Sequence, residues 1–378
     1  MMKLKLIEQT GKPYRIFAEH LESKAIDQFV QAMQQESVVK GALMPDAHAG
    51  YTLPIGAVVA VDGMVFPSFV GYDIGCGMCA VKTTFSASDI RENARVIYDE
   101  IYRMLPVGFN YRKTPYDWPV SDRPDCSRFV RDLLDKGNGL FQLGSLGSGN
   151  HFVEIGEDEN RSVWIVIHSG SRNLGHTVAT HYMQMASPDG KAREGFYGLR
   201  TGTSAGQDYV QDLMFGLAFA LKNRQAILET VVQALRRFVS GNTLPDTLIN
   251  RNHNHAELKD GLWIHRKGAT HAEAGMQGVI PGNMRDGSFI VTGKGHPDSL
   301  SSSSHGAGRI MGRNAAKASI DLDAFVHTMA ERGIVAKVDR STLDESPEAY
   351  KNIWEVMAMQ ADLVDIKHHI KPIINIKG

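Results

Sequence analysis

Hydrophobic positions along the chain follow two different periods. Short runs rich in β-branched residues, each bounded by Gly, Pro or Asp, predict strands. These runs are Ile55–Asp62, Cys79–Phe85, Ser162–His168, Leu262–Lys267 and Ser288–Thr292. Apolar residues at helical spacing, with Asp or Ser near several of the starts, predict helices. These segments are Lys24–Gln35, Ser88–Met104, Cys126–Leu134, Gln207–Val239, Ser319–Arg332 and Ala349–His368.

The order of these elements predicts the fold class. Strands and helices interleave without the regular alternation of a doubly wound sheet, and no Gly/Pro/Ser-rich linker or internal repeat divides the chain. The apolar stripe of the longest helix, which includes Leu213, Leu217 and Leu228, indicates packing in a core. We therefore expect an α+β fold in which residues 1–378 form a single mixed α/β domain.

Composition narrows the class of protein. Of the 378 residues, 43% are hydrophobic and 22% charged, which is typical of a globular protein. A net charge of −1 gives no global positive field for nucleic acid, although a local basic patch stays open. No signal peptide and no stretch of roughly 20 apolar residues is evident, so we expect a cytoplasmic protein without a membrane partner. Three cysteines are too few for a disulfide framework.

Glycine and histidine concentrate in short polar segments, which are where chemistry is expected. The chain has 37 Gly and 15 His. The segments are MPDAHAG, GYDIGCGM, GSGNHFVE, VIHSGSR with NHNH further on, and SSSSHGAGR. Together they offer metal ligands, flexible backbone and anion-binding amides.

A metal site is the first prediction from these segments. Asp73 and Cys76 lie three residues apart on a glycine-rich turn, so that a carboxylate and a thiolate can face one ion. Imidazoles from His151, His168 and His253 would complete a set that suits Mn²⁺ or Zn²⁺. Spacing leaves open whether these residues converge and whether His255 replaces His253. Cys76 and Cys79 also spell CxxC, but a second CxxC and a redox context are missing, and Cys79 is expected in the core.

The second prediction concerns His305. It stands between small hydroxyl residues and a Gly-Ala-Gly turn whose N–H groups can cradle phosphate, with Arg309 and Arg313 nearby. A histidine there can act as acid, base or nucleophile, and a serine-capped helix start is the structural alternative. No P-loop, GxGxxG or KxDG motif accompanies it.

The motifs, in order, resemble those of a known family. MPDAHAG, GYDIGCGM, GSGNHFVEI, HSGSR, NHN, RKGA, IPGNM and SHGAGR follow one another as in the RtcB family of RNA-splicing ligases, and AYKNI and the final IKG also match. The resemblance extends from about residue 40 to the last residue. It implies an RtcB-type domain with a central metal-lined cleft.

The resemblance implies an activity and its residues. It implies an RNA ligase that uses GTP and Mn²⁺, with two ions expected and Zn²⁺ or Co²⁺ as substitutes, to seal 3′-phosphate or 2′,3′-cyclic phosphate ends to 5′-hydroxyl ends. His305 resembles the histidine that becomes guanylylated. The implied metal ligands are Asp73, Cys76, His151, His168 and His253. The implied nucleotide contacts are Asn150, Phe152, Glu154, Asn283, Ser288, His305, Gly306, Ala307, Gly308, Tyr350 and Lys377.

Further expectations concern the substrate. Asp46 resembles an acidic residue near the attacking end or the metals, and His48 lies beside it. The chain departs from the usual pattern at AGYTLPIG, SRNLG and Asn283, and has reduced insertions between Thr83 and Gly144. The departures bear on RNA specificity, and the compact chain favours an RNA-repair ligase for tRNA or ribosomal RNA over a general tRNA-intron splicing enzyme. We expect a monomer, with an activating protein factor left open.

Two alternatives come from other functional classes. A metal-dependent phosphodiesterase or cyclic phosphatase would need the metal residues but not His305. A non-catalytic RNA-binding protein would use the glycine loops only to grip phosphate.

Overall fold

The computed structural model describes residues 4–191 and 195–378, in which strands and helices are mixed along the chain. The strands are β1 (Tyr14–Ile16), β2 (Val38–His48), β3 (Ile55–Asp62), β4 (Met64–Val65), β5 (Gly77–Lys82), β6 (Phe152–Glu157), β7 (Val163–Ser169), β8 (Leu199–Arg200), β9 (Ile249–Asn252), β10 (Asn254–Lys259), β11 (Leu262–Lys267), β12 (Ala269–His271), β13 (Gln277–Pro281), β14 (Ser288–Gly293), β15 (Ser302–Ser304), β16 (Val335–Ala336) and β17 (Val364–Lys377). The helices are α1 (Lys5–Glu8), α2 (Ser23–Met33), α3 (Pro67–Val70), α4 (Ala87–Glu92), α5 (Ala94–Met104), α6 (Arg128–Asp135), α7 (Gly139–Gln142), α8 (Arg172–Ala186), α9 (Ser204–Leu235), α10 (Arg313–Ser319), α11 (Leu322–Glu331) and α12 (Ile353–Met359).

Two larger sheets organise these elements. One has the order β1-β2-β3-β11-β10, and the other has the order β13-β14-β17-β6-β7-β5-β9. Most neighbouring strands are antiparallel, whereas β1 with β2 and β16 with β17 are parallel. The predicted mixed α+β fold is confirmed.

The long helix α9 joins the cores of the two sheets. It begins where the Thr203 hydroxyl accepts a hydrogen bond from the Gly206 N–H, which caps its first turn. Leu213 and Phe219 in its first half pack in a core with α2, α8 and the first sheet. Ile227 and Val231 in its second half pack in another core with α5 and the second sheet. The apolar stripe predicted for this segment is therefore core, as expected.

Several predicted elements need correction. The predicted strands at 55–62 and 262–267 have the observed bounds. The segment Ser88–Met104 is two helices, α4 and α5, which meet at Asn93. The predicted helix Ala349–His368 is wrong, because α12 ends at Met359 and the long strand β17 begins at Val364. Pairing of β17 with both β14 and β6 overrides the helical spacing of its apolar residues.

Strand register brings the histidine segments to one edge of the second sheet. His168 in β7 is paired with Phe152 in β6 and with Met78 in β5. His151 and Cys76 immediately precede β6 and β5, so all three side chains come from neighbouring strand ends. Residue 253 lies where the chain leaves β9 of this sheet and enters β10 of the other sheet.

Within the described ranges, no helix has both the length and the apolar character needed to cross a membrane.

Candidate metal and nucleotide site

Cys76, His151 and His168 form a buried cluster that is capable of holding a metal ion. The Sγ atom of Cys76 lies 3.4 Å from His151 Nε2 and 3.1 Å from His168 Nε2. The cluster continues on both sides, since Asp73 Oδ2 lies 3.1 Å from His151 Nε2 and His253 Nε2 lies 3.2 Å from His168 Nε2. All five predicted ligands therefore lie in one connected group.

Hydrogen bonds at the Nδ1 atoms of His151 and His168 direct their Nε2 atoms toward the Sγ atom of Cys76. The Nδ1 atoms of His151 and His168 lie 3.0 Å from the carbonyl oxygens of Leu146 and Asn150. A carbonyl oxygen only accepts, so each Nδ1 carries the proton and each Nε2 presents a lone pair. These lone pairs meet the Sγ atom of Cys76 and a carboxylate oxygen of Asp73. A cation or an added proton among these electron-rich atoms would relieve their mutual repulsion. The donor set fits a transition metal.

Burial keeps His168 and His253 in the form that binds metal. It lowers the pKa of His168 and of His253 well below the usual range, so both imidazoles are neutral near pH 7. Neutral imidazole is the ligand form of histidine.

The path of the chain places His253, and not His255, beside the cluster. The His253 ring lies 4.8 Å from the His305 ring, beside the cluster. His255 instead stacks on His271 at 4.6 Å, and its Nε2 lies 3.1 Å from Arg266. Residues two apart normally share a strand face, but the change of sheet after residue 252 separates these two.

The group around His255 also has the composition of a metal site, with Glu257 and His271. The buried guanidinium of Arg266 is already among these side chains, where it is ion-paired with Glu257 and lies 3.5 Å from Glu273. Because the Arg266 guanidinium already supplies the positive charge there, this group is better explained as an internal ion-pair network than as a second metal site.

His305 is held by Asp46, which is fully buried in β2. Asp46 Oδ2 lies 2.6 Å from His305 Nδ1 and accepts a second hydrogen bond, of 3.2 Å, from the His305 backbone N–H. Burial by itself would raise the pKa of Asp46, but the charge and the hydrogen bond of His305 lower it below its usual value. An ionised Asp46 keeps the proton on Nδ1, and Nε2 of His305 is then available as a nucleophile. His48 lies beside this pair, with Nδ1 3.0 Å from the Asp46 carbonyl.

The loop after His305 closes tightly over Asp46. Gly308 has φ +75°, and a Cβ atom there would lie 2.3 Å from the Asp46 carbonyl oxygen. Within the described residues, no acceptor is found for the backbone N–H groups of Gly306, Ala307 and Gly308. The three residues line a cavity of about 400 Å³ that also reaches Cys76, His168 and His253. The position of these N–H groups at the cavity wall is therefore compatible with the predicted binding of an anion.

One wall of this cavity, which is formed by β6 and β17 and is called the far wall below, carries polar atoms suited to a planar base. Lys377 in β17 is paired with Phe152 in β6, and its Nζ lies 5.1 Å from the Phe152 ring centroid. Asn375 is paired with Glu154 in the same strands. Glu154 Oε1 and Asn375 Oδ1 are buried and find no hydrogen-bond partner among the described residues. Burial raises the pKa of Glu154 to about 8.

The remaining predicted nucleotide contacts differ in what they offer. Asn150 and Tyr350 line the cavity, as does Asn283. The Asn283 amide is already engaged, because Nδ2 donates to Asp286 at 2.7 Å and Oδ1 accepts the N–H groups of residues 285 and 286. Ser288 is fully buried and is not part of the cavity lining, although its Oγ has no partner within the described ranges.

A buried carboxylate that the sequence reasoning missed fixes this wall. Glu345 accepts hydrogen bonds from Lys377 at 2.8 Å, from Tyr350 at 2.7 Å and from Arg313 at 2.6 Å. Although burial opposes ionisation, the charges of Lys377 and Arg313 hold the pKa of Glu345 at about 2. Nothing in the local sequence around Glu345 distinguishes it from a surface acid.

Two polar residues of α9 support the metal-capable loops and were also missed. Arg224 NH1 donates to the carbonyls of Gly75 and Ser169, both at 2.8 Å. Asn223 Nδ2 donates to the carbonyls of Ser145 and Gly170, at 3.2 and 3.0 Å. The signal was present, since an Asn-Arg pair interrupts an otherwise apolar helical stripe.

The chain is similar to known proteins of one family. The family model described as tRNA-splicing ligase RtcB matches residues 28–127 and 130–378. The RNA-splicing ligase RtcB of Escherichia coli K12 is 33% identical over 411 aligned residues, which cover 100% of both chains. The tRNA-splicing ligases RtcB of Nanoarchaeum equitans and Pyrobaculum aerophilum are 30% and 29% identical, covering 98% and 83% of this chain and 97% and 82% of their own.

Proposed function

This chain belongs to the RtcB family of RNA ligases, and we propose that it joins RNA 3′-phosphate or 2′,3′-cyclic phosphate ends to 5′-hydroxyl ends with GTP and Mn²⁺. The observation that carries the proposal is the position of His305. Its ring lies 4.8 Å from His253, at the end of the connected ligand group, and it lines the same cavity as that group. The proposed nucleophile, the metal-capable cluster and a wall that can contact a nucleobase thus share one cavity.

His305 performs the first step of the proposed reaction. Its Nε2 attacks the α-phosphorus of GTP, an N–P bond forms, and the bond to pyrophosphate breaks. Asp46 holds the Nδ1 proton and compensates the positive charge that develops on the ring. The N–H groups of Gly306 to Gly308, which have no acceptor among the described residues, are suited to bind the phosphate oxygens.

Selection of guanine is assigned to the far wall. Phe152 and Tyr350 offer ring faces. Glu154 Oε1 and Asn375 Oδ1, which lack a partner within the described ranges, can accept the N–H groups of the guanine edge. Adenine presents a different set of donors there, so we expect GTP to be preferred over ATP. Lys377 is fixed by Glu345 and supplies a positive charge over Phe152.

The metal would be held by Asp73, Cys76, His151, His168 and His253. The Sγ atom of Cys76 lies between two imidazoles and, once deprotonated, would serve as a ligand together with them. A bound Mn²⁺, or Zn²⁺ or Co²⁺ in its place, supplies positive charge that neutralises phosphate oxygens during transfer.

The joining steps follow from the guanylylated histidine. The guanylyl group passes from His305 to the RNA 3′-phosphate, which releases the histidine. The 5′-hydroxyl then attacks that phosphate, the new phosphodiester forms, and GMP leaves with the electron pair. A cyclic phosphate end must first be hydrolysed to the open 3′-phosphate.

The test is covalent labelling. Purified protein is incubated with Mn²⁺ and α-³²P-GTP or ATP and separated under denaturing conditions, with His305→Ala in parallel. We expect acid-labile label on the wild type from GTP, and none on the variant. Absence of label with persistent opening of cyclic phosphates by both proteins would support a phosphodiesterase instead. Failure to bind Mn²⁺ or Zn²⁺ would support a non-catalytic RNA-binding protein.

The biological setting is a finer part of the proposal. We propose a monomeric, cytoplasmic repair ligase for tRNA or ribosomal RNA, in which residues 1–378 act as one catalytic domain with or without an activating protein factor. The repair role is supported by the compactness of the chain, with its reduced insertions between Thr83 and Gly144. Sealing of intron-derived tRNA halves, without sealing of broken tRNA or ribosomal RNA, would contradict it.

A further inference from the structure

A second cavity, of about 590 Å³, adjoins the metal-capable cluster. Asp73 and His151 belong to its wall, and Tyr72, Asp73 and Asn150 line both cavities. His305 lines only the first cavity. The proposed function does not use this second space.

The order of contacts places the second cavity at the far end of the cluster from His305. From His305, successive contacts lead to His253, to His168, to Cys76 and then to His151, with Asp73 last. The second cavity borders the last two of these residues. Cys76, His168 and His253 line the first cavity with His305, His151 lines the second, and Asp73 lines both, so the two cavities meet at the Asp73 end of the group.

The wall of the second cavity carries an aromatic pair. Tyr72 and His176 of α8 stack with ring centroids 4.8 Å apart and planes 19° apart. The partly buried ring of Tyr72 packs against the first core, while His176 is exposed. Phe109 on the same wall is 92% exposed. Aromatic faces next to a polar, catalytic space are the usual platform for unpaired nucleobases.

In-line displacement decides which RNA strand reaches this cavity. During joining, GMP leaves toward the first cavity, so the attacking 5′-hydroxyl approaches from the opposite side of the phosphate. The second cavity meets the first at Asp73 but lacks His305 and its glycine loop, so it offers the space for that approach. Resting on the proposed function, we propose that the Tyr72–His176 pair stacks the first base of the RNA strand that carries the 5′-hydroxyl. Stacking tolerates any base, so the pair contributes affinity and orientation rather than sequence preference.

The main test combines a protein variant with a substrate variant. Ligation is measured at saturating 3′-phosphate strand, with the 5′-hydroxyl strand carrying either a normal or an abasic first nucleotide. We expect His176→Ala to lower kcat/KM about tenfold on the normal strand, and to remove the roughly tenfold penalty that the abasic strand suffers with wild type. His176→Phe should restore the wild-type behaviour. His327→Ala, on a 73% exposed histidine of α11, is the matched control.

Independent penalties from the variant and the abasic site would overturn the proposal. So would a penalty that follows an abasic residue in the 3′-phosphate strand. Labelling of His305 by GTP should be equal in wild type and His176→Ala, because the stack does not take part in that step. If wild type itself is not labelled, the proposed function has failed, and this result does not bear on the stack. The stack is then tested by binding alone, through the fluorescence of 2-aminopurine at the first position of a 5′-hydroxyl RNA. Quenching by wild type and His176→Phe, but not by His176→Ala, is expected, and equal quenching by all three contradicts the stack.

Discussion

The carboxylate of Asp46 and the imidazole of His305, 259 positions apart in sequence, meet at 2.6 Å. Oδ2 of Asp46 accepts from both the ring and the backbone of His305, so the histidine is fixed in tautomer and in position. Oδ1 has no partner within the described residues, and the carboxylate is fully buried. A buried acid is costly unless a charged or strongly donating partner accompanies it, and His305 is that partner.

Replacement of Asp46 by Asn tests this pair. The amide can donate to Nδ1 and favour the wrong tautomer, which removes the lone pair from the phosphate side. We expect the guanylylation rate to fall by about 10²- to 10⁴-fold. The rate is measured by label transfer from α-³²P-GTP, with bound metal and the thermal midpoint as controls. A rate equal to wild type would show that Asp46 does not position the nucleophile.

Addition of a methyl group at Gly308 tests the closeness of the same loop without changing a titratable group. An alanine Cβ would meet the Asp46 carbonyl at 2.3 Å and would also have to adopt φ +75°. We expect guanylylation to fall roughly 10²-fold from the displacement of the pair. Gly312→Ala is the matched control, because φ is −68° there and no described atom lies within 4 Å of the new Cβ. Equal activity of the two variants would contradict this account.

The two cysteines of the CxxC sequence should differ in their effect on metal content. Cys76 faces two imidazoles, whereas Cys79 is buried in an apolar core. We expect Cys76→Ala to weaken Mn²⁺ binding beyond the roughly 10- to 100-fold that loss of an outer partner costs. Cys79→Ala should retain the metal. Bound metal per chain after dialysis is measured by mass spectrometry, and equal losses in both variants would remove Cys76 from the ligand set.

Glu154 predicts a specific dependence of stability on pH in the absence of nucleotide. Its pKa is raised from 4.5 to about 8, so between these values the folded protein holds a proton that the unfolded chain has released. This contribution to the free energy of unfolding is complete below about pH 4.5 and is lost as the pH rises through about 8. Relative to Glu154→Gln, the wild type should lose on the order of a few kcal/mol between these limits.

Urea unfolding of both proteins at several pH values provides the measurement. The difference between the two free energies should fall steadily with rising pH. A constant difference would mean that the Glu154 carboxyl does not titrate in this window.

Features that depend on residues close together in the sequence could be predicted, whereas features that depend on residues far apart in the sequence could not. The turn containing Asp73 and Cys76 and the glycine loop after His305 are local, and both were recognised from motif and resemblance. Strand β17 was not recognised, because its apolar residues also fit helical spacing and only its pairing with β6 and β14 decides. Glu345 could not be identified, since Arg313 and Lys377 become its neighbours only in the folded chain. His253 was separable from His255 only by the change of sheet.

The position of Arg224 and Asn223 in α9 has a consequence for local opening. These side chains hold the loops at Gly75, Ser145 and Ser169 from the middle of a helix whose halves lie in different cores. The loops cannot detach without breaking bonds to a segment that should be among the slowest to exchange its amide protons. The metal-capable cluster should therefore remain assembled through ordinary fluctuations, and hydrogen exchange around Cys76 should report cooperative unfolding of both sheets rather than loop motion.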